Sequence, residues 1–110
     1  MRGFVTATLE GAGTFEVTQA ESGFAALRLF PRMHFDLVIS DINMPDINGL
    51  EIVRFVREHE EHRKTPLILI STDGRDADRE RGLRLGASAY LVKPFPAEDL
   101  LRIVDQLLQR

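Results

Sequence analysis

The chain has 110 residues, of which 44% are apolar and 28% charged, with a formal net charge of −3 and no cysteine. That length supports one domain, residues 1–110, with its own core. The slight negative charge argues against a nucleic-acid-binding face, and the missing cysteine excludes disulfides and fits a reducing compartment. No apolar run approaches a membrane span and no signal-peptide pattern opens the chain, so a cytoplasmic protein without membrane contact is expected.

Arg2 to Gly11 carries Phe4, Val5 and Leu9 at roughly helical spacing, and Gly11 suits a helix stop. Phe15 to Ala20 alternates apolar and polar residues, which predicts a half-exposed strand. Ser22 suits the N-cap of a short helix holding Phe24, Leu27 and Phe30. Phe35 to Ser40 contains the run Leu37-Val38-Ile39, the pattern of a strand buried on both faces. Gly49 to about Glu60 predicts a helix with one broad apolar face. Pro66 to Ile70 is a second buried strand, Asp76 to Leu85 a charged helix that packs shallowly, and Ala89 to Val92 a third short apolar run. The final helix keeps the i, i+3, i+4, i+7, i+8 pattern with Leu100, Ile103, Val104, Leu107 and Leu108.

A helix followed by four strand–helix repeats implies an α/β fold of parallel strands joined by right-handed crossovers. In such doubly wound sheets, functional groups gather beyond the carboxyl ends of the strands. Those ends carry Ser40-Asp41, Ser71-Thr72 and Lys93-Pro94: an acid, a hydroxyl and an amine after three consecutive apolar strands. Taken singly, Asp41 suits a helix cap, Ser71 a turn and Lys93 a solvated charge. Their joint placement makes that reading weaker. Asp41-x-Asn43 and Asp46-x-Asn48-Gly49 faintly suggest a calcium loop, but Pro45 stands where an oxygen ligand is wanted. His34, His59 and His62 share no metal-ligand spacing and read as surface residues. The alternating charges from Arg75 to Arg84 read as a solvated helix face. No nucleophile elbow or P-loop supports an autonomous enzyme.

The segment Asp41-Ile42-Asn43-Met44-Pro45-Asp46-Ile47-Asn48-Gly49 resembles the phosphoacceptor loop of the CheY-like response regulator receiver family. Pro66 to Ser71 is similar to that family's fourth strand, and Gly86 to Phe95 to its fifth strand and Lys-Pro signature. The resemblance implies a flavodoxin/CheY-like sheet in two-component signal transduction. In it Asp41 accepts a phosphoryl group from a histidine kinase or phosphotransfer protein. The Asn43 main-chain carbonyl and Asp41 would bind Mg²⁺, Ser71 would bond a phosphoryl oxygen, Tyr90 would be the rotamer switch, and Lys93 would pair with the phosphoryl group. Pro94 would be cis.

The family opens with a strand ending in an acidic pair, for which this chain has no counterpart, so strands 2, 3, 4 and 5 of the order 2-1-3-4-5 are expected. Glu21 is the one substitute ligand in view, and Mg²⁺ binding is expected to be weak, impairing phosphorylation. A phosphate-independent pseudo-receiver, acting in dimerisation or protein binding, is the alternative. An inner strand of about five apolar residues supplies on the order of 7–15 kcal/mol, comparable to a whole domain's stability. The expectation is therefore a homodimer with Phe4, Val5, Phe15 and Val17 at its interface, against direct pairing of the strands around Val17 and Val38, or a natural gene product that is longer at its N-terminus.

Overall fold

The computed structural model describes residues 2–13, 15–72 and 76–109, and the side chains of Arg2 and Asp76 are not described. Met1 and Arg75, where the resemblance and the charge run begin, lie outside the described residues. The element order is α1 (Arg2–Gly11), α2 (Gly23–Leu29), β1 (Val38–Asp41), α3 (Gly49–Glu58), β2 (Leu67–Ser71), α4 (Asp76–Leu85), β3 (Ala89–Val92) and α5 (Ala97–Leu108). The three strands form one parallel sheet in the order β1-β2-β3, with Asp41 opposite Ile70 and Ser71 opposite Val92.

The central strand explains the layering. All five residues of β2 are buried, and their side chains alternate between two cores. Leu67 and Leu69 join Phe30, Leu50, Val53 and Val56 on the face covered by α2, α3 and α4. Ile68 and Ile70 join Leu9, Leu91, Leu100 and Val104 on the face covered by α1 and α5. A continuous apolar run is what a strand covered on both sides requires. The helices are capped as their sequences suggest: Ser22 Oγ accepts from Ala25 N–H at 3.1 Å, and Asn48 Oδ1 accepts from Leu50 N–H at 2.8 Å.

The structure corrects three expectations. Residues 15–20 are extended but do not belong to the sheet, which has three strands where four were expected. The alternation is kept: Phe15 and Val17 are half-buried against the α1/α5-side core, while Glu16 and Thr18 are exposed. An extended segment becomes a strand only where another backbone runs about 4.8 Å away, and this one is not among the strands of the described sheet. Pairing around Val17 and Val38 is likewise absent from the described sheet, so the segment does not close against β1. The run at Leu37-Val38-Ile39 is only half-buried, because β1 is an edge strand of that sheet.

The third correction is His62, which is buried, with 0% exposure, not a surface residue. Its ring sits against Phe30 and Phe35, with centroids 5.4 and 5.9 Å away, and stacks on His34 at 5.9 Å. Phe35 N–H donates to His62 Nε2 at 3.2 Å, and His62 Nδ1 lies 3.4 Å from His59 Nδ1. An amide is only a donor, so Nε2 must be the acceptor and the ring proton sits on Nδ1. Burial lowers the ring's pKa below its ordinary 6.5; Glu61 opposes this, and His59 and His34 add to it.

Candidate functional site

Asp41 ends β1 and Lys93 follows β3, on either side of the central strand. The Lys93 ammonium reaches across and lies 2.7 Å from Asp41 Oδ1. Both side chains are mostly screened from solvent, at 19% exposure for Lys93 and 28% for Asp41. Ser71 ends β2 between them, only 1% exposed, and its carbonyl accepts from Lys93 N–H at 2.8 Å. The Lys93–Pro94 peptide is cis. The structure therefore brings together the acid, the hydroxyl residue and the amine that the sequence placed on three strand ends.

Tyr90 lies in β3, one residue before Leu91, half-buried against the α2/α3/α4-side core. Asn43 is exposed in the loop after β1. Glu21 is exposed just ahead of α2. Among the described residues, no group of three or more His, Asp or Glu side chains is arranged to hold a metal. Of the groups the resemblance gives to Mg²⁺, the Asp41 carboxylate is paired with Lys93, and the Asn43 carbonyl lies in the exposed loop after β1. The faint calcium pattern is not realised either, because the Asp46 carboxylate is occupied by main-chain N–H groups. Its Oδ2 accepts from Phe24 at 2.8 Å, and its Oδ1 from Gly23 at 3.1 Å and Ile47 at 2.9 Å. The Phe24 bond first, with Gly23 and Ile47 after it, holds this carboxyl below its ordinary pKa.

Two further residues shape the loop between β1 and α3. Gly49 N–H donates to Ile42 carbonyl at 2.8 Å, closing the loop behind Asp41. A Cβ on Gly49 would overlap the Asp41 carbonyl oxygen and lie 2.7 Å from Ile42 Cα, so only glycine fits this approach. The sequence shows Gly49 and Asp46 in the loop motif but marks neither with a task. The signal for Asp46 was its position before the α3 cap; its partners in α2 are 22 and 23 residues away.

The sequence model of the response regulator receiver domain matches residues 1–105. The chain belongs to the response regulator receiver family. The transcriptional regulatory protein CusR of Escherichia coli K12 is 40% identical over 107 residues, covering 97% of this chain and 46% of CusR. This receiver spans less than half the length of the transcriptional regulators it matches. A response regulator structure from Chloroflexus aurantiacus superposes with a TM-score of 0.92 at 31% identity, covering 99% of this chain and 88% of that one. The receiver domain of a sensor histidine kinase from Pseudomonas aeruginosa superposes at 0.88 with 29% identity, covering 99% of this chain and 88% of its own. That structure has a magnesium ion coordinated in its active-site cleft. These relatives establish a CheY-like α/β receiver fold in this chain. No described helix is long and apolar enough to cross a membrane.

Proposed function

We propose that residues 1–110 form one receiver domain that accepts a phosphoryl group on Asp41 from a histidine kinase or phosphotransfer protein. The observation that carries this reading is the 2.7 Å approach of Lys93 Nζ to Asp41 Oδ1 at the carboxyl end of a parallel sheet. An Asp41 carboxylate oxygen attacks phosphorus, and the phosphorus–donor bond breaks as the leaving group departs with its electron pair. The product is an acyl phosphate. Lys93 neutralises charge on the transferring oxygens, and Ser71 bonds one of them, as electrostatic catalysis of phosphoryl transfer requires. Ser71 and Tyr90 then relay the modification toward β3 and α5. The domain is a signalling module rather than an autonomous enzyme. Phosphorylation from acetyl phosphate should give a hydroxylamine-sensitive label that Asp41→Asn abolishes; a label persisting in that variant refutes the assignment.

A second reading is favoured by one specific observation. The Asp41 carboxylate is already paired with Lys93, and no group of three or more His, Asp or Glu among the described residues is arranged to hold a metal. A phosphate-independent pseudo-receiver, binding protein through the same scaffold, fits a site with weakened metal binding. Phosphoryl acceptance then proceeds slowly or not at all, and Mg²⁺-dependent labelling separates the two readings.

Homodimerisation is part of the proposal. Its support is the edge of β1 that no strand of the described sheet pairs with. Unpaired strand edges recruit other chains, and a second copy is always at hand. Phe15 and Val17, half-buried against the α1/α5-side core, and Phe4 and Val5 on α1 are the interface candidates. Light scattering at micromolar concentration should report a dimer, and a monomer with concentration-independent melting overturns this part.

A further inference from the structure

The seven-residue helix α2 is too short to be stable alone, and the three amides of its first turn need acceptors. Ser22, its own cap, satisfies only Ala25. The other two, Gly23 and Phe24, are satisfied from outside by Asp46, a residue of the loop that follows Asp41. The same carboxylate turns back to its own loop and accepts from Ile47 N–H at 2.9 Å. Contact is close on the apolar side as well: a Cβ on Gly23 would overlap Ile47 Cγ1 and lie 2.9 Å from its Cδ1. The loop from Asp41 to Gly49 is thus fastened at two points. Gly49 ties its far end to Ile42, and Asp46 ties its outer turn to α2.

We propose that Asp46 is a positioning residue for phosphoryl acceptance, holding the Asp41–Gly49 loop against α2 so that Asp41 and the Asn43 carbonyl keep their places. The role rests on the reading of Asp41 as acceptor, but its structural half can be measured without it. A carboxylate suits the task because its two oxygens accept three N–H bonds in diverging directions, which a hydroxyl does not. It couples the entry of α2 to the acceptor loop, so displacement of either is transmitted to the other.

The test is backbone hydrogen exchange combined with Asp41 labelling. In Asp46→Ala, the amides of Gly23, Phe24 and Ile47 lose protection directly. Positioning further requires that Gly49, which Asp46 does not touch, exchange roughly tenfold faster, the scale of one lost hydrogen bond. The saturating rate of labelling by acetyl phosphate should fall while its half-saturation stays unchanged. Asp46→Asn, which keeps one accepting oxygen, should recover part of both effects. Ser22→Ala is the control: it weakens α2 by removing the Ala25 bond and should leave Gly49 exchange and labelling as they were. If Gly49 is unaffected in Asp46→Ala while Gly23 and Phe24 are exposed, Asp46 merely caps α2 and the proposal fails. If the unmodified chain takes no label, the acceptor reading fails instead, and Gly49 exchange still decides the positioning role.

Discussion

Arg57 provides the most direct test of how this fold is held together. It lies in the last turn of α3, half-buried, and its guanidinium donates to four main-chain carbonyls. Nε bonds Gly86 at 2.9 Å, and Nη1 reaches Thr65 at 2.8 Å, Arg63 at 3.1 Å and His62 at 3.4 Å. One side chain thereby joins the α3–β2 connection to the turn after α4. Burial lowers the guanidinium pKa, yet arginine stays charged in a protein. The two short bonds, to Gly86 and Thr65, are each worth about 1.5–3 kcal/mol as charge-assisted bonds. Replacement by water and the relieved desolvation of the ion offset part of this, so Arg57→Ala should cost about 2–4 kcal/mol. With a urea m-value of roughly 1.5 kcal/mol/M, the midpoint falls by about 1.3–2.7 M at unchanged m. Arg57→Lys should lose most of the same amount, because one ammonium cannot span carbonyls on two separate turns. A midpoint within about 0.3 M of the parent in Arg57→Ala would refute the bridging account.

Three further outcomes follow from particular groups. The depressed pKa of His62 means that the unfolded chain binds more protons just below its ordinary pKa of 6.5, so stability is full above that value and falls as pH drops toward the folded pKa. The slope is at most about 1.4 kcal/mol per pH unit. Urea midpoints between pH 7.5 and 5.5 should show it, and His62→Gln, whose amide oxygen can still accept the Phe35 N–H, should flatten it; an unchanged or rising midpoint in the parent counts against it. Gly49→Ala should destabilise by about 1–3 kcal/mol through overlap with the Asp41 and Ile42 backbone, read by thermal melting; an unchanged melting temperature contradicts the packing. Calorimetry should find Mg²⁺ binding much weaker than in receivers generally, and ordinary affinity would mean that residues other than Asp41 and Asn43 supply ligands.

What the sequence made legible was whatever a residue type signals by itself. Three apolar runs became the strands, and the polar residues ending them became the site. The ends of α1 at Gly11 and the cap at Ser22 followed local rules. What stayed hidden depends on partners far along the chain. Phe15 to Ala20 has a strand's alternation, but membership of a sheet depends on a neighbouring backbone. His62 sits in the run Glu58 to Lys64, which is almost wholly polar and reads as solvated. The rings of Phe30 and Phe35, arriving from another segment, help to bury it. Arg57 and Asp46 act on main-chain carbonyls and amides, and a backbone group carries no mark in the sequence that a side chain will seek it.

The site depends on the strand register as much as on its side chains. Asp41 ends β1 and Lys93 follows β3, strands separated by the whole width of β2, about 10 Å at ordinary strand spacing. A direct 2.7 Å pair across that distance needs a long side chain on one side and a clear path over the end of the central strand. Lysine supplies the length. Ser71 supplies the path, since it ends β2 with a small side chain while its carbonyl anchors the Lys93 amide. The register is fixed in turn by the alternating burial of Leu67 to Ile70: a slip by one residue would exchange the two cores and point all four side chains at the wrong face. The packing that stabilises β2 is therefore the same packing that sets an acid, a hydroxyl and an amine side by side. Substitutions that keep Asp41, Ser71 and Lys93 but disturb that alternation should separate the pair before they unfold the chain.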